Sequence, residues 1–188
     1  PPLAFALGRM SLRYFKVKPL FVGPGVKTGM SILYENPREV GAGRVVNAVA
    51  AHDRVGGACV AVDFGTSTNF DVVSGAGEYL GGVIGPGVEI SLEALTARAA
   101  KLPRVDLSSP QAAIGKHTEA AIQSGFAYGF AGLVDGINSR LAEELGETAT
   151  FIATGGLATT IAPLCETIDE VDPLLTLRGL RLIHERNS

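Results

Sequence analysis

Hydrophobic and polar positions alternate along this chain in two distinct rhythms. Between residues 3 and 16, Leu3, Ala6, Leu7, Met10 and Tyr14 recur at helical spacing, which predicts an amphipathic helix. Leu20, Phe21 and Val22 form a short apolar run that ends in Gly23-Pro24-Gly25 and reads as a strand. Asn36, Pro37 and Glu39 then carry a helix entry: a capping side chain, a proline suited to the first turn and an acid three residues on. Gly41 and Gly43 interrupt it, and a helix is expected from Arg44 to about Arg54. Cys59 to Asp63 is an apolar strand ending in an acid, with two more strands at Phe70–Val73 and Glu78–Ile84 across the turn 74–77. Helices are expected from Gly87 to about Lys101 and from Lys116 to about Leu145, followed by a strand at Thr150–Ala153 and a last helix from Pro173 to near Glu185. Strands and helices mixed in this way indicate an α/β fold with a mixed sheet.

Gly125, Gly129, Gly132 and Gly136 recur at nearly one-turn spacing within the long helical region. A glycine costs a helix about 1 kcal/mol relative to alanine, so four together call for close backbone approach. Either the face packs on the sheet or it meets a second subunit, and the sequence leaves both open.

At 188 residues, with 46% hydrophobic and 19% charged positions, the chain can bury a substantial core. Sixteen basic residues against nineteen acidic ones offer no basic field for a nucleic acid or an anionic membrane. No stretch approaches the roughly 18 uncharged apolar residues of a membrane helix, and Arg9, Arg13 and Lys16 break the start as a signal peptide. Cys59 and Cys165 lie far apart without metal-ligand spacing, which fits reduced thiols in a cytoplasmic protein. His52, His117 and His184 are equally scattered, and Lys27 and Lys116 read as either phosphate contacts or solvated lysines.

The strongest chemical signal is Asp63-Phe-Gly65-Thr66-Ser67-Thr68. Glycine admits a phosphate close to the backbone, hydroxyls and N–H groups donate to its oxygens, and the acid can hold a cation. A plain hairpin uses the same residues. Gly155-Gly156, between a strand and a helix, offers bare backbone for a nucleotide's base or ribose, or simply a turn.

Together these segments resemble one family. The likeness runs through Gly23-Pro-Gly-Val-Lys-Thr-Gly29, Tyr34-Glu-Asn-Pro-Arg-Glu-Val40, Gly41-Ala-Gly-Arg-Val-Val-Asn-Ala-Val49 and Val62-Asp-Phe-Gly-Thr66. It continues through Gly81-Gly-Val-Ile-Gly-Pro-Gly87, Ala99-Ala-Lys-Leu-Pro103, Gly115-Lys-His-Thr118, Gln123-Ser-Gly125 and Ala153-Thr-Gly-Gly-Leu-Ala158. The chain is similar to the type III pantothenate kinases. The resemblance implies an actin-like, ribonuclease-H-like fold and a homodimer. It also implies transfer of the ATP γ-phosphate to pantothenate, the first step toward coenzyme A, with Mg²⁺ and a monovalent cation, K⁺ or NH₄⁺. By position, Asp63 would hold the monovalent cation, while Thr66, Gly155 and Gly156 would meet ATP. Tyr34, Gly41, Ala42, Gly43, Arg44 and Thr118 would line the pantothenate site, Thr118 reaching in from the partner subunit.

Two departures stand beside the matches. The family's Gly-Ala-Asp-Arg has Gly43 in place of its aspartate, the general base, and glycine cannot take a proton. No Asp-x-Gly-Asn-Thr phosphate loop occurs in these 188 residues, so the first half of the actin-like fold is expected to be incomplete, with open sheet edges and exposed apolar surface. On this reading residues 1–55 are the remainder of the N-terminal half and 56–188 the C-terminal half, with the phosphate-binding hairpin and the dimer helices. A non-catalytic relative of the Bvg accessory factor type is the alternative, since losing the base and the loop would suit such a drift. A sugar kinase or polyphosphatase is a third, and the Tyr34 and Thr118 segments argue against it.

Overall fold

The computed structural model describes residues 2–99 and 102–188, with the side chain of Pro2 left aside. The Ala100-Lys101 part of the motif at 99–103, and the expected helix end at Lys101, lie outside the described residues.

Six strands form one sheet: β1 (Ser31–Ile32), β2 (Cys59–Phe64), β3 (Ser67–Val73), β4 (Glu78–Pro86), β5 (Thr150–Thr154) and β6 (Glu170–Val171), in the order β1-β4-β3-β2-β5-β6. β3 is antiparallel to both β2 and β4, whereas β1 joins β4, β5 joins β2 and β6 joins β5 in parallel. The helices are α1 (Pro2–Met10), α2 (Ala42–Val55), α3 (Val88–Arg98), α4 (Thr118–Leu145), α5 (Ala158–Ile161) and α6 (Leu175–Glu185). A mixed sheet flanked by helices is the expected fold class.

Strand periodicity assigns the two faces. Val60, Val62 and Phe64 of β2, with Phe70 and Val72 of β3, pack against Val88 of α3, Ala127, Phe130 and Val134 of α4, and Ile161 of α5. Cys59 and Ala61 of β2, Val73 of β3, Tyr79 of β4 and Ile152 of β5 pack the other way, against Ala48 and Ala51 of α2 and Leu175 of α6. β2 is therefore covered on both sides, which is why Cys59-Val-Ala-Val62 reads as a continuous apolar run rather than an alternating one. α2 and α6 approach closely at Gly179, where a Cβ would come within 2.2 Å of the Val46 carbonyl.

Several sequence expectations change here. Residues 20–22 form no strand; the chain pairs instead at Ser31–Ile32, where β1 adds to the edge of β4. The N-terminal helix ends at Met10 and continues as a π-helical turn, Ser11–Phe15. Its apolar stripe is not buried: Leu3, Phe5, Tyr14 and Phe15 are each about 70% exposed, from 68 to 73%. Asn36 does cap, accepting from the Arg38 N–H, but the helix it opens is a single 3₁₀ turn, Pro37–Glu39. The two-residue strand β6 follows a turn at 165–169 and carries too little pattern to foresee. Finally, Gly125, Gly129 and Gly132 of α4 face open space, with no atom within 4 Å of a Cβ built on any of them. Packing of that face on the sheet is thereby excluded.

Candidate functional site

α2 carries the site's scaffold. Gly41 is its N-cap, with φ −58° and ψ 137° and no side chain to satisfy the first N–H groups. Ala42 and Gly43 form the exposed start of the helix, and a Cβ on Gly43 would meet nothing within 4 Å. From there Arg44, Asn47, Ala48 and Ala51 follow at i, i+3, i+4 and i+7, one stripe turned onto the sheet.

Arg44 meets Asp71, a residue on β3 whose side chain is fully buried. The guanidinium donates its Nε–H to Asp71 Oδ1 at 2.7 Å, and the Tyr79 hydroxyl donates to the same oxygen at 2.9 Å. Arg44 also lies over the Tyr79 ring, 5.9 Å from its centroid. Tyr34 tilts against Tyr79 at 6.4 Å and 49°, with its ring over Gly81. Burial pushes the Asp71 carboxyl above its usual range, with Arg44 opposing the shift. In register with Asp71 stand Ala61 on one side and Gly82 on the other, small residues that leave room for the guanidinium. A Cβ on Gly82 would come within 2.9 Å of Arg44 Nη2 and strike the Phe70 carbonyl.

Asp63, at the end of β2 on the same face, accepts from Asn47 Nδ2 at 3.1 Å, and Asn47 Oδ1 accepts in turn from Thr176 of α6 at 2.7 Å. Desolvation raises the Asp63 carboxyl above its usual range, and the Asn47 hydrogen bond works against that rise. Its other oxygen lies beside bare backbone. A Cβ on Gly155 would come within 2.6 Å of Oδ1, and one on Gly65 within 3.5 Å. Gly155 has φ +94°, a left-handed conformation suited to glycine. Asp63 is paired across the sheet with Thr154, so the register itself brings the acid and Gly155 together, while Gly156 faces open space.

Of the three hydroxyls after Gly65, two are engaged internally. Ser67 Oγ donates to Asn69, and the buried Thr68 donates to the Pro86 carbonyl at 2.8 Å. Thr66 alone stands exposed at the tip of the β2–β3 turn. Thr118, at the head of α4, is exposed and belongs to the opposite helical layer from α2. Its neighbour His117 is that helix's cap, accepting from the Ala120 N–H at 3.3 Å. His52 faces the Gly57 carbonyl, and among the described residues no group of three or more His, Cys, Asp or Glu is placed to hold a metal ion.

The structure thus gathers Tyr34, Gly41, Ala42, Gly43 and Arg44 at one end of α2, and Asp63 with Gly155 beyond the end of β2. Sequence reasoning missed Asp71, Asn47 and Tyr79. Asp71 had a signal, an acid inside the strand run Phe70-Asp-Val-Val73, but the two faces of the strand could not be told apart without its partners. A cleft of about 1040 Å³ lies elsewhere, between α3 and residues 102–107, with Glu89, Glu93, Arg104 and Asp106 in its wall. None of the expected site residues lines it.

Residues 1–140 match the family model of type III pantothenate kinase. A type III pantothenate kinase from Anaeromyxobacter sp. (strain Fw109-5) is 66% identical over 187 residues, covering all of this chain and 74% of that protein. Its counterpart in Myxococcus xanthus (strain DK1622) is 55% identical over 187 residues, again with full coverage of this chain and 73% of the relative. Among solved structures, a candidate Baf family transcriptional activator from Campylobacter jejuni superposes with a TM-score of 0.54 at 22% identity, covering 84% of this chain and 68% of that one. That likeness speaks for the fold alone. With a family match over 140 residues and two-thirds identity along its whole length, the chain belongs to the type III pantothenate kinase family.

Proposed function

We propose that this chain carries the substrate side of an ATP-dependent pantothenate kinase, and that Gly43 leaves it slow. The observation that carries the reading is Arg44, held by a buried acid at the mouth of α2 beside an empty position where the family has its aspartate. A fixed guanidinium suits the pantothenate carboxylate or a phosphate, because it offers paired donors in a plane. Tyr34 would line the same site, and Gly41, Ala42 and Gly43 would give the substrate close access to the helix start. Thr118 would come from the partner subunit of a homodimer. The exposed glycine face of α4 supports that reading, since it is open to another copy. Residues 1–55 would then supply the pantothenate side, and 56–188 the phosphate hairpin and dimer helices.

Thr66, Gly155 and Gly156 would meet ATP, with Mg²⁺ entering on its phosphates. Asp63 suits K⁺ or NH₄⁺: one carboxylate oxygen faces a glycine cradle that a Cβ would fill, and burial leaves its negative charge poorly compensated. The cation would supply positive charge beside the phosphates. For the hydroxyl proton of pantothenate, Glu39 is a poor substitute base, because it already accepts from Asn36 Nδ2 at 2.7 Å on its own 3₁₀ turn. General-base catalysis is worth about 10²–10⁴-fold, and a loss of that order is expected here. No helix among the described residues is long and apolar enough to cross a membrane, and both cysteines are free, which suits work in the cytoplasm.

The non-catalytic alternative is favoured by Gly43 and by nothing else in the site. Thermal protection separates the two readings. Pantothenate should raise the melting temperature of this chain and a hexose should not; protection by neither would favour the non-catalytic relative.

A further inference from the structure

We propose that Asp71 is a positioning residue that, together with the Tyr79 hydroxyl, holds the Arg44 guanidinium in one orientation for the carboxylate of the substrate. The inference rests on the substrate reading of Arg44 given above.

Asp71 sits in the middle of a strand, on the face that otherwise carries Val73 and Ala61, and its side chain has no exposed surface. Burying a carboxylate there is costly unless its partners are fixed. Both partners converge on one oxygen: Nε–H of Arg44 at 2.7 Å and the Tyr79 hydroxyl at 2.9 Å. The Tyr79 ring forms a floor under the guanidinium, and Gly82 forms a wall that admits Nη2 only because it has no side chain. Arg44 Nη2 is buried without a hydrogen-bond partner, and so is Asp71 Oδ2. An arginine is thus held through Nε while its outer donor edge is left uncommitted.

Charge alone argues against such an acid. Asp71 cancels the positive field of Arg44 and would weaken its pull on any anion. Orientation argues for it, because a long side chain held in advance loses less freedom when the ligand binds. The two effects have opposite signs, so substitutions can separate them. Asp71→Asn keeps an oxygen acceptor and the volume while removing the charge. Asp71→Leu keeps the volume and removes the acceptor. Tyr79→Phe removes one donor and leaves the ring.

The experiment is titration calorimetry of this chain with pantothenate and with pantothenol, in which an alcohol replaces the carboxylate. The unaltered chain should prefer pantothenate. Asp71→Asn should keep that preference or widen it. Asp71→Leu should lose about tenfold of it, the worth of one well-placed charged hydrogen bond, while pantothenol binding barely changes. Tyr79→Phe should fall between, and it keeps the test valid should the Leu variant fail to fold. Equal weakening toward both ligands would mean a merely structural role and overturn the proposal, as would a Leu variant that keeps the preference or an Asn variant that loses it. An unaltered chain that binds both ligands alike would instead remove the substrate reading of Arg44, and this inference with it. The Arg44 Nε–H resonance offers a check without substrate: it should exchange slowly in the unaltered chain and in Asp71→Asn, and a resonance equally slow in Asp71→Leu would count against positioning.

Discussion

At the scale of single residues, Gly43, the buried Asp71 and the half-buried Asp63 decide most. Gly43 is the second residue of α2, with no acid in that helix's first turn and open space around it. An aspartate there would both fit and interact favourably with the helix N-terminus, typically by 0.3–1 kcal/mol. Gly43→Asp should therefore raise the melting temperature by a degree or more, as followed by circular dichroism; a drop would show that the site is more crowded than the geometry says. Asp63 and Asp71 give a pH dependence with a defined sign. Desolvation raises both carboxyls above the ordinary value of 3.8, so the native state binds their protons more tightly than the unfolded chain does. Their contribution is fully present below that value and is lost as pH rises through the native pKa values. Asp63→Asn should flatten this part of the stability profile in denaturation series run upward from about pH 4. KCl should stabilise the unaltered chain near neutral pH more than choline chloride does, and that difference should vanish in Asp63→Asn. Cys59 belongs to the background: burial pushes its thiol up to about 12, consistent with an inert core residue.

Elements explain which parts of the fold were legible. The strands β2 to β5 announce themselves as short apolar runs bounded by turn residues, and the helices α2, α4 and α6 through apolar positions that recur at helical spacing. The strand expected at Leu20–Val22 failed for a physical reason. Its apolar residues satisfy no sheet edge; Val22 packs beside α2, while the edge of β4 is taken by Ser31–Ile32, a pair with almost no pattern. The site was half legible. Gly41, Ala42, Gly43, Arg44, Tyr34 and Asp63 stand out as short motifs, whereas Asn47, Asp71 and Tyr79 depend on strand register and helix phase, which only pairing supplies. Thr68 shows the converse, a hydroxyl in the right motif that turns out to serve the Pro86 carbonyl. Between helices, α2 and α6 meet closely. A methyl at Gly179 would press on the Val46 carbonyl, so Gly179→Ala should cost about 1–3 kcal/mol in chemical denaturation. Thr176, one turn before, would shift with it and loosen the Asn47–Asp63 contact.

For the whole molecule, the sheet and its two helical layers form a coherent core, and the N-terminal stretch stands apart from it. Leu3, Phe5, Leu12, Tyr14, Phe15 and Val17 all lie more than half exposed, with Arg9 and Arg13 among them. Large apolar side chains exposed in this number promote association. Sedimentation velocity should show concentration-dependent self-association of this chain, reduced by Phe5→Ser with Phe15→Ser; a monodisperse species unaffected by those changes would contradict it. The chain spans 74% of its relative from Anaeromyxobacter, and the family's Asp-x-Gly-Asn-Thr segment is not among its 188 residues. The decisive experiment on Gly43 joins such a segment to this chain. It then follows ATP-dependent phosphorylation of pantothenate with Mg²⁺ and K⁺, with and without Gly43→Asp. Gly43→Asp should give a gain of about 10²–10⁴-fold, with pantothenate affinity little changed. Equal rates for the two proteins would show that position 43 does not carry the base and contradict the proposed cause of slow turnover.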